Sequence, residues 1–155
     1  MLKYFILLIL AFLGVFAGLL ISYFAKEELK AGKIYFNIFR HILFVVILVL
    51  FFLKNWSILL VLVVALLIII FSFSKYRETL YYYALAVVFF LSWKCNGFAL
   101  IAPLIFLYGL PIGGIYLQDH FKDIKKVKKI IGGLFKQYIG FFIVGLVLGI
   151  IGLFL

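Results

Sequence analysis

Of the chain's 155 residues, 69% are hydrophobic and 13% charged, and the net charge is +10. Soluble domains are only about half apolar, so this is the composition of a chain that lives in lipid. So much length is taken by spanning segments that no separate soluble catalytic unit fits. The positive charge argues against nucleic acid, because the basic residues stand beside apolar stretches, where the anionic inner leaflet attracts them.

The first apolar stretch gives a span over 4–24. Its uncharged run, 4–25, is longer than the core of a usual signal peptide, so it reads as an anchor kept in the mature protein. Gly14, Gly18 and Ser22 fall on one face of this helix in the small-residue pattern that permits close helix approach. A basic connection with Lys26, Glu27, Glu28, Lys30 and Lys33 follows. The acids there are explained by pairing with their lysine neighbours.

The second span covers 34–53 and carries the polar trio Asn37, Arg40 and His41 in its inner third. By helical rise Arg40 lies about 10 Å from the inner end, close enough for its side chain to snorkel to the headgroups. The alternative is a site for an anionic headgroup or substrate. Asn37 and His41, four residues apart, share a face and can bond a neighbouring helix or ligand. A turn with Lys54 and Trp56 leads to a third span, 58–73, and a fourth follows over 76–93 with Arg77 and Glu78 at its interfacial start.

After Lys94 and the single cysteine, Cys95, a fifth span covers 98–116. One cysteine allows no internal disulfide and no cysteine-based metal site. Within this span, Gly109, Pro111, Gly113 and Gly114 predict a kinked or broken helix. Broken helices expose backbone groups that transporters use to bind substrates, which makes these four residues candidate ligand contacts alongside Asn37, Arg40 and His41. Segment 119–136 reads as an in-plane amphipathic helix with Phe121, Ile124, Val127, Ile131, Leu134 and Phe135 on its apolar face. Lys122, Lys125, Lys126, Lys128 and Lys129 on its other face form a docking surface for anionic lipid or a soluble partner. Asp119 and Asp123, with His120 between them, are one turn apart and give a weak candidate metal pair. The final span, 138–155, has a packing face of Gly145, Gly149 and Gly152.

Twelve of the fifteen basic residues lie on alternate connections or beside them, and only Lys3, Lys54 and Lys94 on the others. The positive-inside rule turns that bias into orientation: six spans, both termini outside and the basic loops inside. Trp56 and Trp93 fall at outer turns, and Tyr23, Tyr35, Tyr76, Tyr116 and Tyr138 near inner ends, as aromatic belts require. The sequence thus predicts one all-α integral membrane domain over 1–155, a six-helix multi-pass bundle of the cell membrane. No cofactor motif and no catalytic constellation are present. The expected function is a small transporter or channel-like protein, or the membrane subunit of a transport assembly. The alternatives are a structural subunit and a lipid-modifying enzyme. Expected partners are lipids of the anionic inner leaflet, and further copies of the chain or other subunits of a membrane complex.

Overall fold

The computed structural model describes residues 2–25, 29–54, 77–94, 97–120 and 127–154, and all regular structure among them is α-helical. The helices are α1 (Leu2–Phe24), α2 (Leu29–Lys54), α3 (Arg77–Lys94), α4 (Phe98–Asp119) and α5 (Val127–Phe154). Four of these, all but α3, are long and apolar enough to cross a membrane. The third sequence-predicted span, 58–73, lies outside the described residues. The chain is an all-helical protein of membrane type.

Helix α4 sits centrally, packed against α1, α2, α3 and α5, and its tightest partner is α1. Both helices carry glycines four residues apart, Gly14 and Gly18 on α1 and Gly109 and Gly113 on α4. These four glycines face one another. A Cβ on Gly18 would stand 2.6 Å from the Leu110 Cα, and one on Gly109 would stand 2.7 Å from the Val15 backbone nitrogen. Backbone therefore lies directly on backbone, the arrangement that small residues allow where lipid supplies no hydrophobic drive between helices. Ser22 continues the same face of α1 and reaches Gly114.

The expected break near Pro111 does not occur: α4 is helical from end to end, with Pro103 and Pro111 inside it. A proline removes one backbone donor and crowds one turn, but in a membrane helix neighbouring helices and local adjustment restore the freed groups. Gly109, Pro111, Gly113 and Gly114 are all buried. The glycines serve helix contact.

Helix α5 uses its glycines differently, as sockets for large side chains. Leu8 of α1 fills the space above Gly145, Tyr4 that above Gly149, Phe90 of α3 that above Gly152, and Tyr83 that above Gly140. The Tyr4 hydroxyl donates to the Gly145 carbonyl at 2.7 Å. That carbonyl lies one turn before Gly149, whose missing side chain leaves room for the ring. Tyr83 likewise donates to the Gln137 carbonyl at 2.6 Å. The face of Gly145, Gly149 and Gly152 thus receives α1 and α3 side chains, while Gly14 and Gly18 meet α4.

The described part of segment 119–136 also departs from a separate surface helix. Asp119 ends α4, and residues 127–136 are the first turns of α5, continuous with the last span. No proline interrupts the chain between Lys136 and Phe141, and the buried positions Ile130, Leu134, Tyr138 and Phe141 keep helical spacing across the expected boundary. At 1.5 Å per residue α5 is about 42 Å long, against roughly 30 Å of hydrocarbon.

The helix ends sort into two sets. Lys54 lies beside Gly97, 3.8 Å separating the Lys54 Cβ from a Cβ built on that glycine, and Trp93 contacts Phe98 with ring centroids 4.6 Å apart. At the opposite end Lys33 meets Asp119 and Gln137 meets Thr79. Lys54 and Arg77 therefore stand at opposite ends of the bundle.

A leucine at Gly18 or Gly113 should wreck the α1–α4 contact, since overpacking costs at least about 1–3 kcal/mol and the obstructing atoms here are backbone. Alanine at Gly132, where a Cβ meets nothing within 4 Å, should be neutral or stabilise by up to about 1 kcal/mol through helix propensity. Thermal unfolding in non-ionic detergent, with size-exclusion profiles, checks both; equal stability of G18L and wild type would contradict the close crossing.

Candidate functional site

The polar groups of the bundle gather toward the end marked by Lys33 and Asp119. The Lys33 ammonium lies 2.8 Å from an Asp119 carboxylate oxygen, both side chains half exposed. Exposed pairs contribute at most about 1 kcal/mol, but this one ties α2 to the last turn of α4. There a carboxylate alone would oppose the negative end of the helix dipole. His120 turns back on α4: its Nδ1–H donates to the Tyr116 carbonyl at 3.0 Å, and its ring stacks on Tyr116 at 4.3 Å. Asp119 and His120 thus take separate partners, and Asp123 lies outside the described residues. Among the described residues no three His, Cys, Asp or Glu side chains converge on a metal-sized site.

The trio on α2 divides between two faces. Arg40 is 8% exposed and begins a buried stripe that continues through Leu43, Ile47 and Phe51. One turn before it Phe36 lies against Gly114, and one turn after it Phe44 contacts Tyr108 at 6.0 Å. Arg40 therefore lies on the face of α2 turned toward α4, between the levels of Tyr108 and Gly114. It lies about 21 Å along the helix axis from Lys54. His41 is exposed, and its Nδ1–H donates to the Asn37 carbonyl of its own helix at 2.7 Å. Asn37 is half-buried. Of the two docking lysines that fall in described residues, Lys128 and Lys129, both are exposed on the first turn of α5; Lys122, Lys125 and Lys126 lie outside them.

Two features escape a sequence reading. The first is a tyrosine cluster where α2, α3, α4 and α5 converge: Tyr82 lies 4.6 Å from Phe141, 5.6 Å from Tyr138 and 6.1 Å from Tyr108, ring to ring. Tyr82 is fully buried, and its hydroxyl has no hydrogen-bond partner among the described residues. A hydroxyl within an apolar run, at Tyr82 and again at Tyr108, was the available signal. The second is a cleft of about 610 Å³ between α3 and α5, lined by Thr79, Leu80, Tyr83, Gly133, Lys136 and Gln137. In it the Gln137 side-chain amide donates to the Thr79 hydroxyl at 3.3 Å. Nothing in the local sequence brings 79 and 137 together.

A buried hydroxyl without a partner costs about 1–3 kcal/mol. Tyr82→Phe should therefore keep the ring contacts and raise thermal stability in detergent by an amount equivalent to about 1 kcal/mol. A lowered midpoint would show that the hydroxyl is bonded in the membrane.

No protein-family model, curated protein or solved structure matches the chain, and its functional reading rests on this geometry.

Proposed function

We propose that the chain is a small transport protein of the cell membrane, acting alone or as the membrane subunit of a transport assembly, and that it handles an anionic or strongly polar solute in the inner half of its bundle. The buried Arg40 carries this reading. An arginine within a membrane helix costs about 2.5–3.5 kcal/mol on insertion scales, and intramembrane charges that face a bundle interior mark substrate and ion pathways. Asn37, one turn away and half-buried, adds a second polar group on the same side of the membrane.

The proposed topology has six spans, both termini outside and the basic connections in the cytoplasm. Its support is geometric as well as electrostatic: Lys54 and Arg77 stand at opposite ends of the bundle, which an even number of spans before α3 would not give. The basic first turns of α5, with Lys128, Lys129 and the lysines before them, lie in this reading at the inner interface as a surface for anionic lipid or a partner.

A scaffolding subunit is the second reading, favoured by the uninterrupted α4 and its backbone contact with α1, which leave the centre of the bundle tightly filled. A lipid-modifying enzyme has less support, since Asp119 is engaged by Lys33.

Thermal stabilisation by a panel of anionic solutes separates these readings. Transport predicts that at least one solute raises the midpoint of the wild type and that Arg40→Gln, while still folded, loses the shift. No shift with any solute, together with stoichiometric co-purification of a second protein from native membranes, would favour the scaffold. In a Cys95→Ser background, a cysteine at position 54 should label only from outside the cell; labelling from the cytoplasm would overturn the topology.

A further inference from the structure

The cleft between α3 and α5 has polar side chains in its lining, and its depth in the membrane is set by the helix that forms it. If the outer end of α5 at Phe154 marks the outer boundary, about 30 Å of hydrocarbon reaches back some twenty residues. Lys136 and Gln137 then fall within a turn of the inner boundary, at the level of lipid phosphates. Helix α3 agrees to within a turn: Thr79 lies about 22 Å along the axis from Lys94 at the outer end of that helix.

The chemistry of the lining is graded. Three polar groups line the cleft, the Lys136 ammonium, the Gln137 side-chain amide and the Thr79 hydroxyl. The amide donates to the Thr79 oxygen and to the Tyr138 hydroxyl, which commits both its N–H groups and leaves the Thr79 proton free to point outward. The Tyr83 hydroxyl is committed to the Gln137 carbonyl, so Tyr83 offers the cleft its ring. Leu80, that ring and the bare backbone at Gly133 make an apolar floor. At about 610 Å³ it has the size of sites that hold whole organic ligands, and a bare phosphate would leave most of it empty.

We propose that this cleft binds the phosphate-bearing headgroup of an anionic membrane lipid, with Lys136 and Thr79 as donors to the phosphate, Gln137 holding Thr79 in place, and Leu80 and the Tyr83 ring against the glycerol and first methylenes. The assignment takes from the proposed topology only that this end faces the inner leaflet, which the labelling at position 54 tests separately.

The test titrates phosphatidylglycerol, phosphatidylcholine or inorganic phosphate into the full chain in dodecyl maltoside and reads retained lipid by native mass spectrometry and the thermal midpoint. One phosphatidylglycerol should be retained per chain. Lys136→Gln should weaken it about fivefold, in line with the contribution of one basic residue at an anionic surface, and Lys136→Glu more. Thr79→Val should weaken it further, while Lys54→Gln at the opposite end should leave it unchanged. Phosphatidylcholine, with the same phosphate but no net charge, should bind several-fold less tightly. Both Lys136 variants are surface changes whose folding the thermal midpoint without lipid verifies. The proposal fails if Lys136→Glu binds as the wild type does or if Lys54→Gln weakens binding equally. It fails too if millimolar inorganic phosphate alone displaces the lipid, which would make the site one for a free anion.

Discussion

Contact of backbone with backbone where α1 crosses α4 is the constraint on which the rest of the bundle depends. Gly14 and Gly18 meet Gly109 and Gly113 so closely that no side chain fits between them. In water such a contact would bury little apolar area, but in lipid helices associate through van der Waals fit and close approach. The crossing also explains why α4 stays helical through Pro111. Its flanks are held by α1 on one side and α2 on the other, and the missing hydrogen bond is a local loss inside a packed environment. A motif with the composition of a helix break is used as one half of a packing seam.

The second organising device is the pairing of aromatic side chains with glycines on α5. Tyr4 and Tyr83 each lay a ring into the hollow left by a missing side chain and donate to a main-chain carbonyl of the same helix. Each contact buries an aromatic surface and satisfies its hydroxyl at once, the combination that makes tyrosine tolerable within a membrane bundle. Tyr82 gains only the first half of that arrangement, with three ring contacts and no hydrogen-bond partner among the described residues. Arg40, the tyrosine cluster and the cleft between α3 and α5 all lie toward the end of the bundle marked by Lys33 and Asp119.

The charges divide the molecule by a different rule. Lysines in the short connections resist transfer across the membrane, so their alternation reports orientation without any knowledge of packing. Arg40 lies toward the Lys33 end of α2, and its side chain turns into the bundle. A periodicity argument locates such a residue along the membrane normal; it is silent on rotation about the helix axis, which is set by the neighbours.

The sequence by itself determined the membrane character, the helical class and the ends at which charge collects, because each depends on local composition and on the fixed rise of a helix. It also marked Gly14, Gly18 and the glycines of the last helix as contact surfaces, though not what they touch. Only the tertiary structure decided that Gly109 and Gly113 answer Gly14 and Gly18, that residues 127–136 continue the last helix, that Arg40 faces α4, and that Thr79 and Gln137 form one cleft. The physical reason is the same in every case. In lipid both faces of a helix are apolar, so the hydrophobic pattern that reveals the inward side of a soluble helix is absent. The choice of partner then rests on shape complementarity between segments far apart in the chain.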